Sequence, residues 1–283
     1  MENSLTPRKT LPITIIGAGA VGHALALSLH KKHYFIRAVF SKSGKSARLL
    51  GKKVEAARSG ILSTQARNSG IFFITVPDDE IKNVVRRLLH RGSDFSSSLV
   101  FHTSGALSSD VLLPLKRKGA MVGSFHPLQT FPKSQIGSVY FQEIFVAVEG
   151  DRKAVAAGKR IARRIGARPF VLSSQQKVLY HIAAVFGSNY FVTLLSVIEE
   201  LGLRIGVPQR KMVAMIEPLI LQSFQNVRME SASSALTGPI ARGDVRTISR
   251  HRSVLKTKKL RHIFELYTAL AKATMRLASK KKT

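Results

Sequence analysis

A glycine-rich turn between an apolar strand pattern and an apolar helix pattern constrains the fold of this chain most. The segment LPITIIGAGAVGHALALSLHKK carries Gly17, Gly19 and Gly22 in the spacing G-x-G-x-x-G. In that context the first glycine permits a tight turn, the second admits a pyrophosphate, and the third lets the helix pack on the strand. The phosphates would then meet the helix N-terminus at Ala20 and Val21. A dinucleotide-binding βαβ unit is predicted; glycines that serve only a tight connection are the competing interpretation.

The end of the second strand indicates which dinucleotide is expected. The strand YFIRAVF ends at Ser41, where an NAD-selective site carries a carboxylate for the ribose hydroxyls, about 20 residues after the turn. Lys42 and Ser43 follow, with Lys45 and Arg48 close behind. A 2′-phosphate would be repelled by an acid and bound by these hydroxyl and cationic groups. The sequence therefore predicts NADP, although a very basic chain also places cations in many loops for no special purpose.

Strand and helix patterns alternate in the first part of the chain and then stop alternating. Strands are predicted at five short apolar runs, residues 71–76, 98–103, 120–125, 143–150 and 168–173. Amphipathic segments separate them, which predicts a doubly wound, Rossmann-type parallel sheet. Long helices are predicted afterwards, at residues 175–201, 208–230 and 256–278. We therefore predict an NADP-binding Rossmann domain over residues 1–173 and an all-α substrate and dimerisation domain over residues 174–283.

Charge and cysteine content restrict the function classes. The chain has 283 residues, 45 Lys and Arg against 16 Asp and Glu, a formal net charge of +29, and no cysteine. Disulfide frameworks and thiolate nucleophiles are thereby excluded. The positive field attracts phosphates, acidic metabolites, nucleic acid and anionic membranes alike. Because the cations are dispersed along the chain, a solvated basic surface is the simpler interpretation, and no nucleic-acid partner is expected. The N-terminus has no signal-peptide pattern, so a cytoplasmic location is expected.

The apolar segment VLYHIAAVFGSNYFVTLLSVI approaches the length of a membrane span. It contains polar residues and is followed by two glutamates. A buried helix of a bundle, at a homodimer interface, is therefore predicted rather than a transmembrane helix.

Polar residues follow three neighbouring strands of the predicted sheet, and Asp78 comes after the first of them. His102 and Ser104 come at the end of one strand, and His126 at the end of the next. The carboxyl edge of such a sheet is where open α/β folds bind ligands. Asp78 is predicted to be the N-cap of a helix. The nicotinamide end of the cofactor is predicted to lie against Val76, Pro77 and Thr103.

The helical part supplies the other half of the predicted site. His181 and Ser188 share one helix face, with Asn189 beside them, and polar groups in so apolar a helix need partners. Arg242 is a candidate clamp for an anionic group. We predict that His181 donates or accepts the proton, that Ser104, His126 and Asn189 orient the substrate, and that Arg242 lies near its anionic end. No metal site is predicted.

Five motifs, in order along nearly the whole chain, carry a family resemblance: TVPDDEI, HTSGALSSDVL, GSFHPLQTF, YHIAAVFGSNY and ALTGPIARGD. Together they resemble a poorly characterised family of Rossmann-like proteins that is similar to pyrroline-5-carboxylate reductases and to 6-phosphogluconate and 3-hydroxyacid dehydrogenases. The resemblance implies an N-terminal NADP-binding domain, a helical C-terminal domain like that of 6-phosphogluconate dehydrogenase that often dimerises, and oxidoreductase activity on an unassigned substrate.

The hydroxyacid dehydrogenases also suggest individual residues. Thr103-Ser104-Gly105 resembles their Ser-Thr substrate loop. Their catalytic lysine is followed four residues later by an asparagine, whereas here Lys177 is followed by His181 and the asparagine comes only at position 189. The chain therefore departs from the lysine pattern.

Taken together, these features predict an NADP-dependent oxidoreductase that transfers a hydride to or from a small, anionic substrate with a C=O or C=N group. Two alternatives remain open. One is a catalytically silent NADP(H)-binding sensor or scaffold, and the less favoured one is a nucleic-acid-binding protein suggested by the charge.

Overall fold

Eight strands form one sheet in the computed structural model, which describes residues 11–62, 70–89, 94–132 and 141–280. In chain order the strands are β1 Ile13–Ile16, β2 Ile36–Ser41, β3 Arg58–Ile61, β4 Gly70–Ile74, β5 Ser98–His102, β6 Met121–Pro127, β7 Phe145–Gly150 and β8 Arg168–Val171. Their spatial order is β3-β2-β1-β4-β5-β6-β7-β8. The order reverses between β1 and β4, as in a doubly wound sheet, so the predicted fold class is confirmed.

The direction of β7 differs from the prediction. Strands β1 to β6 pair in parallel, but β7 is antiparallel to β6, and β8 is parallel to β7. An apolar run specifies a covered strand and carries no information about its direction. The edge strand β3 was also not predicted, because its side chains are exposed and its sequence, RSGI, has no apolar alternation.

The α-helices flank this sheet and form the second part of the chain. They are α1 Ala20–Lys31, α2 Lys45–Lys53, α3 Asp78–Leu88, α4 Leu113–Lys116, α5 Arg152–Arg164, α6 Lys177–Val185, α7 Phe191–Arg204, α8 Gln209–Met229, α9 Ala232–Ala235, α10 Pro239–Arg242, α11 Val245–Leu255 and α12 Arg261–Ser279. The three predicted long helices are present. The first is interrupted by the π-turn Phe186–Tyr190, and the third begins only at Arg261.

Apolar side chains cover both faces of the sheet. Successive residues of a strand point to opposite faces, so Phe73 packs in one cluster with Phe101, while Phe72 packs in the other with Val100. All four are buried. This double burial explains why the central strands are apolar at every position, and it leaves the carboxyl ends of the strands for polar residues.

The chain divides into two compact units, one ending at Ser188 and the other beginning at Asn189. The division lies inside the long helical stretch and further along than the predicted boundary at 173/174. The reason is that Lys177 and Tyr180 of α6 form hydrogen bonds with residues of the sheet and its loops. The ends of both predicted domains, residues 1–10 and 281–283, lie outside the described residues.

The helical stretch Ser174–Arg204 is 31 residues long and is apolar enough, by length and composition alone, to cross a membrane. Much of its apolar surface is exposed, since Leu179 is 72% and Phe186 64% exposed. The predicted burial of this helix is therefore not met within a single chain. Its burial by a second copy stays a prediction.

Candidate functional site

The glycine turn between β1 and α1 has the shape that its sequence predicts. Gly17 has a φ of +114°, and a Cβ on Gly22 would lie 1.9 Å from the carbonyl oxygen of Gly17. The hydroxyl of Thr75 donates a 2.6 Å hydrogen bond to that same oxygen and so joins the turn to the end of β4. A Cβ on Gly19, in contrast, would meet nothing within 4 Å. The turn is therefore tightly packed inside and open at Gly19, at the N-terminus of α1 with Ala20 and Val21.

The loop after β2 presents hydroxyl and cationic groups. The hydroxyl of Ser41 accepts a 3.3 Å hydrogen bond from the backbone N–H of Ala47. Lys42, Ser43 and Arg48 are exposed, and the ammonium of Lys42 lies 3.9 Å from a carboxylate oxygen of Glu80. Two of the predicted phosphate ligands, Lys42 and Arg48, are thus exposed surface cations.

Three further predicted cofactor contacts lie at the ends of β4 and β5. Val76 is half-buried, and Pro77 is exposed at the N-cap position of α3. The backbone N–H of Thr103 donates to the carbonyl of Ile74 at 3.1 Å, which keeps the two strand ends together. These residues lie on the same edge of the sheet as the glycine turn, because β1, β4 and β5 are parallel.

His102 braces a loop and is not free to react. It is fully buried, and its Nδ1 accepts a 3.2 Å hydrogen bond from the backbone N–H of Ser104. Its Nε2 must then carry the proton, which it donates to the carbonyl of Ser108 at 3.1 Å. Burial lowers the pKa of His102 to about 3, so the ring is neutral around pH 7. Both ring nitrogens are therefore used to hold the loop that follows β5.

Ser104 is the second brace of that loop. Its hydroxyl donates a 2.7 Å hydrogen bond to Asp78 and accepts hydrogen bonds from the backbone N–H groups of Ala106 and Leu107. The prediction that Asp78 is an N-cap is wrong, because Pro77 occupies that position and the carboxylate of Asp78 reaches the loop instead.

Lys177 was not among the predicted catalytic residues, but in the structure it contacts the loop after β5 and the strand β6. It is 1% exposed at the start of α6, and its ammonium donates to the carbonyl of Ser104 at 3.1 Å and to the hydroxyl of Ser124 at 2.5 Å. Burial lowers the pKa of Lys177 to about 8, although the nearby carboxylates of Glu149 and Asp78 raise it. One signal was available: a cation at the start of an apolar helix must find buried partners.

His126 and His181 meet above Gly105. Their ring centroids are 6.1 Å apart, and a Cβ on Gly105 would lie 2.5 Å from Cδ2 of His181 and 2.7 Å from Nε2 of His126. The other nitrogen of His126, Nδ1, shares a 2.8 Å hydrogen bond with the hydroxyl of Tyr180. Burial, and after it the charges of Lys177 and His181, lower the pKa of His126 to about 4. Burial raises the pKa of Tyr180 to about 12. Both partners of the hydrogen bond are therefore neutral at pH 7.

The remaining predicted residues are Ser188, at the end of the first unit, and Asn189 and Arg242 of the second unit. Ser188 donates its hydroxyl proton to the carbonyl of Ala184, one turn back in its own helix, at 2.6 Å. Asn189 and Arg242 are exposed and belong to the second unit, so their roles at the substrate stay predictions. Asp244, close to Arg242, accepts hydrogen bonds from Thr247 and so caps α11.

Comparison with protein families finds two matches, one on each side of residues 128–143. Residues 2–127 match the Rossmann-like domain, and residues 144–274 match DUF2520, a domain of unknown function. No curated protein matches the chain.

Solved structures resemble the chain over nearly its whole length. A provisionally assigned NADP oxidoreductase from Bacteroides fragilis shares 26% identity with a TM-score of 0.77, over 95% of this chain and 99% of its own. A reductive aminase from Aspergillus terreus, solved with NADPH and ethyl-5-oxohexanoate, shares 14% identity with a TM-score of 0.71, over 95% and 98%. A pyrroline-5-carboxylate reductase from Coxiella burnetii shares 17% with a TM-score of 0.57, over 96% and 98%. The predicted resemblance to Rossmann-like oxidoreductases with a helical second domain is confirmed.

Proposed function

We propose, from the premise that a Rossmann-like domain and a DUF2520 domain are combined in this chain, that the protein is an NADP-dependent oxidoreductase acting on a small anionic substrate with a C=O or C=N group. The observation that carries the proposal is the cluster of His126, His181 and Lys177 around the Gly105 loop. The Gly105 loop follows β5, and His126 lies near the end of β6; both strands run parallel to β1, so this side of the cluster shares the sheet edge with the glycine turn. Titratable groups on the same sheet edge as a nucleotide-binding turn are typical of an oxidoreductase active site.

The glycine turn and the loop after β2 fit NADP. The open space at Gly19 leaves room for a pyrophosphate next to the N-terminus of α1, where backbone N–H groups favour anions. Ser41, Lys42, Ser43 and Arg48 offer hydroxyl and charge-assisted hydrogen bonds to a 2′-phosphate. The bound cofactor would supply or accept the hydride, and the protein has to orient the substrate and move a proton.

His126 is suited to orient the substrate. A phenol with a pKa of about 12 keeps its proton at pH 7, so in our proposal the hydroxyl of Tyr180 donates the hydrogen bond and Nδ1 of His126 accepts it. The ring proton then stays on Nε2, on the side of Gly105 and His181. An N–H at that place can donate a hydrogen bond to the oxygen or nitrogen of the reacting group.

His181 is the proposed proton donor or acceptor. It is half-buried, so it can reach a bound substrate, and an imidazole ring can both donate and accept a proton. Lys177 contributes in a different way, because its ammonium is buried and bonded to Ser104 and Ser124. A fixed positive charge beneath the loop favours negative charge that develops on a substrate oxygen.

The same proposal includes a homodimer. None of the residues of α8, all of which are described, is buried; Leu219 and Phe224 are each 63% exposed. Apolar faces of this kind mark partner surfaces. Light scattering should give twice the monomer mass, and Leu219→Glu with Phe224→Glu should reduce it, whereas Lys211→Glu on the same helix should not. A monomer that stays soluble at micromolar concentration contradicts the dimer.

Cofactor binding and turnover test the function directly. NADPH and NADH are titrated into the protein by fluorescence, and NADPH absorbance is then followed with a panel of keto acids and cyclic imines. We expect tighter binding of NADPH and consumption by at least one member. Failure to bind NADPH contradicts the proposal. Binding without turnover across both substrate classes favours the silent sensor.

A further inference from the structure

Glu149 is a charged residue in the otherwise apolar strand β7, and it is 6% exposed. One carboxylate oxygen accepts a 2.8 Å hydrogen bond from the backbone N–H of Ser109, and the other accepts a 2.7 Å hydrogen bond from the hydroxyl of Ser109. Both oxygens thus act as acceptors, as an ionised carboxylate requires. Glu149 thereby holds the far end of the loop that begins after His102.

The register of the sheet brings Glu149 close to Lys177. Ser124 on β6 lies directly opposite Glu149 on β7 in the antiparallel pair, so their side chains project from the same face of the sheet. The hydroxyl of Ser124 accepts the hydrogen bond from the ammonium of Lys177. A buried carboxylate and a buried ammonium therefore lie on the same face of the sheet, each hydrogen-bonded to a serine hydroxyl, and each would be costly to bury alone.

The other charges around Lys177 cannot replace Glu149. The titratable groups around the ammonium are Asp78 at the start of α3, His102 on β5, His126 on β6, Glu149 on β7, and Tyr180 and His181 on its own helix. His102 and His126, with pKa values of about 3 and 4, are neutral where Lys177 titrates. Asp78 is exposed, so water screens its charge.

We propose that Glu149 is a positioning residue of the candidate site, which keeps Lys177 protonated and, together with it, holds the loop Thr103–Ser109 beneath His126 and His181. The inference rests on the proposed function for its purpose, because that loop is the floor of the proposed site. The hydrogen bonds and charges from which it is argued are present without a substrate. Lys177 holds the beginning of the loop at Ser104, and Glu149 holds its end at Ser109.

The expected direction of the effect follows from the charges. Burial lowers the pKa of Lys177 to about 8. Of the two carboxylates that raise this pKa, Glu149 has the larger effect and Asp78 the smaller. Replacing Glu149 by the uncharged Gln removes a nearby negative charge, so the pKa of Lys177 should fall further. A nearby opposite charge typically shifts a pKa by about one unit or more, and one unit is a tenfold change in the protonation equilibrium.

The experiment is a pH titration of the full chain without added cofactor. The protein is labelled with lysine carrying ¹³C at Cε, and Lys177→Arg identifies the resonance of Lys177 by its disappearance. The wild type should titrate near pH 8, and Glu149→Gln about one unit lower or more. Glu143→Gln is the matched control, because this exposed carboxylate lies just before β7 and pairs with Arg168. It should leave the Lys177 titration unchanged.

Ser109→Ala separates the two functions of Glu149, since it removes a hydrogen bond and keeps the charge. Lys177 should then still titrate near pH 8, while amide exchange of the loop becomes faster. Equal Lys177 titrations in Glu149→Gln and Glu143→Gln would overturn the inference. A wild-type midpoint below pH 7 would overturn it even if Glu149→Gln does not fold, because Lys177 would then be neutral at pH 7 with Glu149 in place. None of these results depends on turnover, so failure of the oxidoreductase proposal would be seen separately, in the NADPH assays.

Discussion

Replacing Gly105 by alanine tests whether His126 and His181 are held in a reactive arrangement. The added Cβ would lie 2.5 Å from Cδ2 of His181 and 2.7 Å from Nε2 of His126, whereas ordinary van der Waals contacts begin at 3.4 Å. Neither ring can stay in place. Because Nδ1 of His126 is bonded to Tyr180, the ring of His181 is expected to move further than that of His126.

The expected displacement sets the size of the effect. Relief of the overlap needs a retreat of about 1 Å, and a misplacement of that size can cost about 100-fold in rate. The cost to stability should be smaller, about 1 kcal/mol, since a half-buried ring can rotate towards solvent. For a unit of this size that corresponds to a fall in melting temperature of about 2–4 °C. A large loss of turnover with a small loss of stability is the expected signature.

The assay compares turnover, NADPH affinity and melting temperature in the same variant, with the substrate that the NADPH-consumption panel identifies. Gly187→Ala is the control, because its Cβ meets nothing within 4 Å in the same unit. It should change neither turnover nor NADPH affinity. A Gly105→Ala variant that turns over at the wild-type rate would refute the reasoning, because the two rings would then be displaced without consequence.

The remaining predictions concern the cofactor and the proton. Gly19→Ala should cost about 1 kcal/mol of unfolding free energy or less, since alanine is a poorer N-cap residue than glycine, and should weaken NADPH binding at least tenfold. Gly22→Ala, whose Cβ would lie 1.9 Å from a carbonyl oxygen, should mainly destabilise the fold. Calorimetry and fluorescence titration distinguish the two variants, and normal NADPH binding by Gly19→Ala contradicts the phosphate role. The double variant Lys42→Ala with Arg48→Ala should weaken NADPH binding at least tenfold and NADH binding little, since each charge-assisted hydrogen bond is worth about 1.5–3 kcal/mol. Equal losses of affinity for both cofactors contradict the assignment of these cations to the 2′-phosphate. His181→Ala should lower turnover by about a hundredfold with NADPH affinity and melting temperature nearly intact; an unchanged rate would show that it is not the proton-transfer group.

Local patterns made much of the fold predictable. Gly17 and Gly22 occupy positions that only glycine tolerates, so the turn could be identified from spacing alone. The central strands are buried on both faces, which the continuous apolar runs express directly. Strand direction and the short edge strand β3 could not be predicted, because direction depends on connections that leave no periodic signal and RSGI has no apolar face.

The candidate site was predicted less completely, for a reason that applies to each missed residue. His126 and His181 were identifiable because a histidine at a strand end or in an apolar helix needs an explanation. Tyr180 and Glu149 were missed because their partners are remote in sequence: Tyr180 meets His126, 54 residues away, and Glu149 meets Ser109, 40 residues away. A carboxylate within an apolar strand was the available signal for Glu149, since such a group must be paired.

The reversed strand β7 and the buried lysine are connected by geometry. In an antiparallel pair, directly opposed residues carry their side chains on the same face, and this places Glu149 beside Ser124, the acceptor of the Lys177 ammonium. The departure of β7 from the parallel pattern therefore coincides with the one carboxylate that approaches Lys177 from the sheet among the described residues. Loss of that carboxylate would leave a buried cation whose proton is held only by neutral groups and by the exposed Asp78. A variant that reorients β7 and so moves Glu149 away should accordingly also lower the pKa of Lys177.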